Sequence, residues 1–479
     1  TWTGRDRFFL DPGHMSPMLY AGLTLRGFFT LDDLKQFRQW GSVTPGHPEL
    51  DIYRGIENSS GPLGQGHAMA AGAAVAEKFL EARLSKTMMQ HKIYAYISDG
   101  GIQEEISQGV GRIAGNLGLN NLIMFYDSND IQLSTECGVV ISENTEMKYK
   151  AWGWNVITIN GNDVSEIRQA LNAAIKEEDR PTLIIGKTVM GKGALKADGS
   201  SYEHSVKTHG APLGDGAFAN TIKNLDGDPE NPFTIFDDVK ELYENRRNDL
   251  VTIVAKRRAE EKQWAESNPE KKLLMDTWFA GQAPKIDWTK VEQKKNDATR
   301  SASAACLAEL AKQVPNMICA SADLCNSDKT DGFLKQTTEF KKGDFSGAFF
   351  QAGVSELAMC DICIGMMLHG GTIAAMGTFF VFSDYMKPAV RMAALMRTPI
   401  KIIWTHDAFR VGEDGATHQI LEDIGLMKML PNMVVINPCD YNQTKAATLA
   451  IADYVGPVYL RFGRPAVANF TPEDQKFEI

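Results

Sequence analysis

Short apolar runs and longer amphipathic stretches alternate along the first part of the chain, from about residue 60 to residue 190. The runs KIYAYI, NLIMFY, NVITI and PTLIIGKT have the length of buried strands. The stretches HAMAAGAAVAEKFLEARL, QEEISQGVGRIAGNLG and DVSEIRQALNAAIKE have the length of helices. Strands that alternate with helices in this way are typical of a parallel sheet with helices on its faces. This region is therefore predicted to form a doubly wound sheet.

A second alternation of the same kind begins near residue 296, with helical stretches such as TRSASAACLAELAKQ and apolar runs such as NMICASAD, IKIIWTHD, MVVINP and PVYLRFG. Residues 226–295 between the two are rich in charge, which is typical of a connection with one or two surface helices. The pattern predicts an α/β protein with two doubly wound parallel-sheet domains, 1–225 and 296–479, joined by that connection.

Polar side chains follow two predicted strands of the first sheet. Asp99 comes after KIYAYIS and Asn129 after NLIMFYDS, one strand–helix–strand repeat later. Both should lie at the carboxyl edge of the sheet, where open α/β sheets bind ligands. With the backbone carbonyl of Ile131, their oxygens are candidate ligands for a magnesium ion that also binds diphosphate and water. A helix-capping aspartate and a turn asparagine remain the alternative.

Glycine-rich turns lie near these strand ends. Residues 61–66, GPLGQG, precede a helix and offer backbone N–H groups to an anion. Residues 186–193, GKTVMGKG, nearly match a nucleotide-binding P-loop, but Gly193 stands where that loop needs Ser or Thr to hold magnesium. We interpret the second turn as an ordinary strand exit.

Histidines flanked by turn residues form a further group of candidates, which comprises His14, His47, His209, His406 and His418. Histidines on loops can act as acids, bases or phosphate ligands, although an isolated one is more often a surface residue. Glu356 begins a strongly apolar helix, where it is either a partner of the helix N-terminus or, in an apolar cleft, a carboxyl with a raised pKa. Phe379, Phe382 and Tyr385 are spaced by three, which predicts one aromatic helical face.

Composition limits the class of protein. The net charge is −10 and no basic cluster occurs, which argues against nucleic acid or an anionic membrane surface as a partner. No apolar stretch reaches the roughly 18 residues of a membrane span. Seven scattered cysteines are typical of a reducing compartment, so a cytoplasmic location is expected.

Taken in order, the motifs resemble those of the transketolases, which use thiamine diphosphate to move two-carbon ketol units between sugar phosphates. They are RDRFFLDPGH, TPGHPE, SSGPLGQG, SDGG, DSND, THGAPLG, SADL, SELAM, AVRMAALM, GEDGATHQ and RFGRP. The resemblance implies two domains of the thiamine-diphosphate-binding type and a transferase of the pentose phosphate pathway. It also implies Mg²⁺ or Ca²⁺ as metal and a homodimer with the active site at the subunit interface.

The resemblance further implies roles for individual residues. The metal would be held by Asp99, Asn129 and the Ile131 carbonyl. The cofactor would be contacted by His14, Gly61, Leu63, Gly100, Asn129, His209, Asp323, Glu356, Phe379, Phe382 and Tyr385. The sugar phosphates would be contacted by His47, Arg300, Ser327, His406, Asp414, His418 and Arg464. Catalytic roles would fall to Glu356, His418, His209 and His47. Glu356 would form a hydrogen bond to N1′ of the aminopyrimidine, so that the 4′-imino form of that ring takes the thiazolium C2 proton.

Several features depart from the family pattern. Ser98 replaces the usual glycine before the metal aspartate, and Gly109 replaces a helix carboxylate, whereas Glu104 keeps the first one. An N-terminal Ser-Gly-His-Pro segment and a third, C-terminal domain are not found, so we expect a chain that lacks both ends. Dihydroxyacetone synthase and deoxyxylulose-phosphate synthase are alternatives within the cofactor class, although HGAPLG and GEDGATHQ look more like transketolase. A catalytically idle assembly subunit is the alternative that the departures favour.

Overall fold

The computed structural model describes residues 2–214, 216–292 and 294–479. In this part of the chain the strands form two sheets in which neighbouring strands are parallel. The first sheet has the order β1-β2-β3-β5-β4, with β1 Arg7–Leu10, β2 Ile93–Ser98, β3 Leu122–Ser128, β4 Asn155–Asn160 and β5 Thr182–Lys187. The second has the order β10-β11-β9-β8-β6-β7, with β6 Met317–Ser321, β7 Phe349–Gln351, β8 Ile373–Phe379, β9 Lys401–Thr405, β10 Val434–Ile436 and β11 Val458–Arg461. The predicted α/β fold with two parallel sheets is confirmed.

Helices connect the strands. Around the first sheet they are α1 Ser16–Leu25, α2 Leu31–Lys35, α3 Gln65–Arg83, α4 Lys86–Met89, α5 Asp99–Gln103, α6 Glu105–Leu117, α7 Thr145–Ala151, α8 Val164–Lys176 and α9 Ala217–Asn224. The connection contains α10 Asp237–Ser267 and α11 Pro269–Phe279. Around the second sheet they are α12 Thr299–Gln313, α13 Cys325–Asp328, α14 Asp331–Leu334, α15 Glu356–His369, α16 Ser383–Met396, α17 Asp423–Met429 and α18 Tyr441–Ala452.

Local sequence signals set several helix ends. The Asp163 side chain accepts hydrogen bonds from the backbone N–H groups of Ser165 and Glu166, which caps the first turn of α8. Gly118 follows α6 in the left-handed region with φ +62°, a conformation that favours glycine over residues with a side chain. Because these signals lie close to each helix end in the chain, the helices that they delimit could be recognised from sequence.

The connection between the sheets has little core of its own. In the described residues, no residue of the 31-residue helix α10 is buried, whereas Met275 and Trp278 of α11 are. Both helices lie within residues 226–295. Across the described ranges, no helix combines the length and apolar character needed to cross a membrane.

Helices α3 and α15 join the two halves of the chain through backbone contact. A Cβ atom added at Gly72 would lie 1.9 Å from the carbonyl oxygen of Ile362. One added at Gly365 would lie 1.9 Å from the carbonyl oxygen of Met69. Such distances exclude any side chain, so each helix presents a glycine where the other approaches. The two helices are therefore packed backbone to backbone at these glycines.

Candidate cofactor and substrate site

The candidate metal ligands come together at the carboxyl edge of the first sheet. Strands β2 and β3 pair in parallel, and Asp99 and Asn129 directly follow them. Asp99 Oδ2 accepts hydrogen bonds from the backbone N–H of Asn129 (3.2 Å) and of Asp130 (3.0 Å), and its Oδ1 accepts one from the Tyr126 hydroxyl at 2.6 Å. Asn129 Oδ1 accepts from the N–H of Ile131 at 3.0 Å. The predicted position of Asp99 and Asn129 on adjacent strand ends is confirmed.

The chemistry of this donor set suits a hard cation that has other ligands as well. Asp99 is 2% exposed, and burial raises the pKa of its carboxyl against the opposing hydrogen bonds. Within the residues that the structure describes, no group of three or more His, Cys, Asp or Glu side chains could hold a metal. A cation at Asp99 would therefore need oxygens from a bound ligand or water, as Mg²⁺ commonly does.

The candidate phosphate histidines lie on converging loops. The rings of His14 and His209 have their centroids 4.8 Å apart. Burial, with the neighbouring His209 and His47, lowers the pKa of His14 to about 4, and burial also lowers the pKa of His209. His209 Nδ1 is buried and has no hydrogen-bond partner among the described residues. Neutral imidazoles with a free ring nitrogen can bind a ligand at this place.

The glycine turn before α3 lies between the histidines and the metal candidates. A Cβ added at Gly13 would lie 3.0 Å from the backbone nitrogen of Gly61 and 2.6 Å from Cδ2 of His47. One added at Gly100 would lie 2.8 Å from Cδ1 of Leu63. The glycine turn thus lies close both to Gly100, which follows Asp99, and to Gly13, which precedes His14. Together with the unpartnered His209 nitrogen, this close backbone approach fits a diphosphate with its cation.

In the second domain, Glu356 is the first residue of α15 and is 8% exposed. Burial raises the pKa of its carboxyl above the ordinary value of a glutamate. Glu356 lines a cavity of about 490 Å³ together with Asp323, Phe382 and Tyr385. Gly109 of α6 lines the same cavity, so both domains contribute to its wall.

The aromatic residues form a continuous surface, but not along one helix. Phe379 ends β8, Phe382 ends a 3₁₀ turn and Tyr385 lies in α16. The rings of Phe379 and Phe382 stack with centroids 5.9 Å apart, and those of Phe382 and Tyr385 lie 6.2 Å apart. The expectation of a single helical face is therefore wrong for Phe379. The spacing of three still aligns the rings because a 3₁₀ turn has about three residues per turn.

Two candidate substrate histidines join this aromatic surface. The His406 ring stacks on Phe379 with centroids 3.7 Å apart, and the His418 ring lies 5.7 Å from that of Phe382. Burial and the charges of Arg300 and Arg464 lower the pKa of His406 to about 3, so its imidazole is neutral. The resemblance assigns the aromatic residues to the cofactor and the two histidines to the substrate, and all of them lie on one surface.

The candidate phosphate-binding arginines already have protein partners. Arg300 Nη1 donates to the carbonyl oxygen of Ser327 at 2.9 Å and lies 3.0 Å from His406 Nε2. Arg464 pairs with Glu413, and its Nη1 is 3.5 Å from Asp414 Oδ2. The pKa of Arg300 is lowered first by burial and then by the charge of Arg464. The two guanidinium groups therefore lie near each other. An anion binding there would compete with Glu413 and Asp414.

One residue and two backbone conformations of the site have no counterpart in the sequence expectations. Tyr126 orients Asp99, and its place near the end of β3 is a signal that strand periodicity could have supplied. The backbone at Asp323 and His406 has φ of +63° and +55°, in the left-handed region. Such strained residues cluster at functional sites, but their conformation has no clear sequence signature.

The comparisons with known proteins agree with this geometry. Residues 1–284 match the family described as transketolase, thiamine diphosphate binding domain, and residues 295–469 match transketolase, pyrimidine binding domain. A transketolase of Bacillus subtilis (strain 168) is 39% identical over 462 residues, covering 93% of this chain and 67% of the relative. A transketolase of Geobacillus stearothermophilus is 40% identical over 458 residues, with the same coverage.

Solved structures give the same result. The transketolase from Leishmania mexicana superposes with a TM-score of 0.92 at 34% identity, covering 98% of this chain and 70% of that one. The transketolase from Campylobacter jejuni superposes with a TM-score of 0.88 at 35% identity, covering 98% and 72%. The chain thus spans about two thirds of the length of the curated relatives above. On this evidence, it belongs to the transketolase family.

Proposed function

We propose that this chain is a transketolase that reversibly transfers a two-carbon ketol group from a ketose phosphate to an aldose phosphate. The donor would be of the xylulose 5-phosphate type and the acceptor of the ribose 5-phosphate or erythrose 4-phosphate type, as in the pentose phosphate pathway. Family membership supports the reaction class. The observation that carries the proposal is the chain of contacts from Gly100 through Leu63 and Gly61 to Gly13, beside Asp99 and His14.

The cofactor would be thiamine diphosphate with Mg²⁺ or Ca²⁺. Asp99, Asn129 and the Ile131 carbonyl would hold the cation, and His14 and His209 would contact the diphosphate. When bound, the cofactor supplies the nucleophilic carbon and the electron sink that cleavage beside a ketone requires. Glu356, Phe382 and Tyr385 line the cavity that would receive the pyrimidine ring.

The chain's own residues would handle protons and orientation. Burial raises the pKa of Glu356, and in its protonated form the carboxyl would donate a hydrogen bond to a ring nitrogen. With the cofactor bound, the aromatic surface would exclude water from one side of the site. His47 and His418 would meet donor hydroxyl groups, and Arg300 and Arg464 would attract the sugar phosphate. Neutral imidazoles at His14 and His406 leave the positive charge of the site mainly to the arginines.

A homodimer with active sites between subunits and a cytoplasmic location complete the proposal. Large apolar side chains are exposed beside both half-sites: Leu133 after the metal loop is 72% exposed, and Val354 and Tyr385 beside Glu356 are 75% and 63% exposed. Exposed apolar groups around a site favour coverage by another chain. The seven cysteines, all within described residues, are free thiols, which fits a reducing compartment.

A coupled assay tests the reaction. With xylulose 5-phosphate and ribose 5-phosphate, turnover should require both thiamine diphosphate and a divalent cation. Turnover with formaldehyde as acceptor, or with pyruvate as donor, would instead favour the dihydroxyacetone synthase or deoxyxylulose-phosphate synthase alternative. Tight cofactor binding without turnover on any of these pairs would favour the idle subunit.

Complementation tests the dimer. Asp99→Ala removes the cation ligand of one half-site, and Glu356→Ala removes the carboxyl of the other. If the half-sites of one active centre come from different chains, mixed and reassembled dimers of these two inactive variants should regain activity. Verified heterodimers without activity would contradict the shared site.

A further inference from the structure

The segment before Glu356 has an unusual helix start. Gly353 has φ of +67°, and Ser355, in the N-cap position of α15, has φ −158° and ψ 67°. Ser355 makes no capping hydrogen bond to the described residues of α15. Its hydroxyl oxygen instead accepts a hydrogen bond from Arg112 Nη2 of α6 at 2.9 Å. A side chain of the first domain thus forms a hydrogen bond at the N-terminus of α15, and Ser355 does not cap that helix.

Arg112 contacts more than one residue of this segment. Its Nη2 also lies 3.5 Å from the carbonyl oxygen of Ala352, and its Nη1 lies 3.5 Å from the place of a Cβ at Gly353. The planar guanidinium therefore spans residues 352 to 355, immediately before Glu356. A fork of fixed geometry can hold several acceptors at once, whereas a lysine ammonium holds them as a point charge.

Gly109, one turn before Arg112 on α6, permits this contact. A Cβ at Gly109 would lie 3.3 Å from Ser355 Oγ and 3.4 Å from the Cβ of Ala358. A side chain at residue 109 would press on Ser355 through its Cβ, and its further atoms would have to enter the cavity that Gly109 lines. The replacement of a helix carboxylate by Gly109 therefore belongs together with Arg112, because the small residue allows the approach and the arginine holds it.

We propose that Arg112 is a positioning residue for Glu356: it fixes the segment 352–355 so that α15 begins at Glu356 with its carboxyl in the 490 Å³ cavity. The inference rests on the proposed role of Glu356 in the reaction. Arg112 contacts Ser355, which lines the cavity, but no described contact joins it to the Glu356 carboxyl, so its effect passes through Ser355 and the helix start.

The first experiment measures the protein without cofactor. Amide hydrogen exchange of residues 353–357 should become at least threefold faster in Arg112→Ala and in Ser355→Ala, and Arg112→Lys should recover part of the loss. Arg83→Ala is the matched control, because Arg83 donates to carbonyl oxygens at Phe345, Ser346 and Gly347, in a loop away from Glu356. Unchanged exchange at 353–357 in Arg112→Ala would overturn the proposal.

The second experiment separates positioning from general stability. Exchange of the cofactor C2 proton, followed by NMR at saturating thiamine diphosphate, should slow about threefold to tenfold in Arg112→Ala, the scale of one hydrogen bond. In the Glu356→Gln background, Arg112→Ala should cause no further loss, because the two changes would act on one group. Additive losses would show that Arg112 acts elsewhere and would overturn the proposal. If Glu356→Gln alone leaves the exchange unchanged, the proposed function of Glu356 fails, and amide exchange still decides the role of Arg112.

Discussion

The two halves of the candidate site are built in different ways. At the first sheet, Asp99 is fixed by hydrogen bonds from Tyr126 and from two backbone N–H groups, and it is 2% exposed. At the second sheet, Arg464 is paired with Glu413, whose side chain is 75% exposed, on a loop that lies far away in sequence. A buried carboxylate held by backbone groups is set before any ligand arrives, whereas an exposed ion pair is weak and exchanges readily. The carboxylate of Asp99 is therefore preorganised, whereas the Arg464 ion pair can exchange Glu413 for a ligand.

Removal of the fixed carboxylate should have the largest effect. Asp99→Ala is expected to abolish cation-dependent binding of thiamine diphosphate, because it removes the cation ligand and also frees the loop at residues 129–131. Titration of tryptophan fluorescence with and without Mg²⁺ measures the binding. Asp198→Ala, which changes an exposed aspartate on another loop, should bind normally. Tight binding by the Asp99 variant, or cation-independent binding by the unmodified chain, would contradict the assignment.

Glu356→Gln should leave cofactor affinity nearly unchanged and slow exchange of the C2 proton. Loss of a general acid typically costs about 10²–10⁴ in rate. Because burial raises the pKa of Glu356, the unmodified protein should hold the active, protonated form at low pH and lose it as the pH rises through that raised value. The glutamine variant should lack this basic limb of the pH profile.

The matched control for Glu356 is Glu105→Gln. Glu105 also begins a helix and lines the same cavity, but it is exposed. Its loss should change the C2 exchange rate less than about twofold, within the range of surface substitutions. If the two substitutions had equal effects, Glu356 would contribute only to the overall charge of the cavity and would have no part in proton transfer.

Arg464→Ala should lower kcat/KM for phosphorylated acceptors by about tenfold to a hundredfold, because a charge-assisted hydrogen bond contributes about 1.5–3 kcal/mol. Glycolaldehyde has no phosphate, so its kcat/KM with hydroxypyruvate as donor should change little. Thiamine diphosphate affinity should also be retained. Equal losses for both acceptors would remove Arg464 from the substrate site.

The smallest effect is expected at the carboxylate that competes for Arg464. Glu413→Gln should lower the KM of phosphorylated acceptors by up to about fivefold, the scale of an exposed ion pair. The KM of glycolaldehyde is the internal control and should stay the same. A raised KM for phosphorylated acceptors would mean that Glu413 orients Arg464 and does not compete with the ligand.

The sequence predicts those features that are determined by residues close together in the chain. Asp99 and Asn129 follow from strand periodicity and the length of one repeat, both of which are local. Strand β1 is four residues long and pairs with β2 more than eighty residues later, so the alternation starting near residue 60 gives no sign of it. The pairing of Arg464 with Glu413 likewise joins distant parts of the chain, and no residue pattern near either one reveals it.

The aromatic surface shows a second limit. The spacing of Phe379, Phe382 and Tyr385 gave the right grouping but the wrong element for Phe379, because a strand end followed by a 3₁₀ turn repeats at nearly the same interval as a helix. No residue pattern predicts the contact of Arg112 with Ser355. Their contact joins two domains, and each residue alone is an unremarkable polar group on a helix or a loop.

The glycine contact between α3 and α15 links the domains independently of the connecting segment. The two domains meet through buried helices in backbone contact at Gly72 and Gly365, whereas no described residue of α10 is buried. A chain divided within α10 would thus keep its domain interface intact on both fragments. Two separately produced polypeptides are expected to reassociate through that interface, which would allow each domain to be labelled or substituted independently of the other.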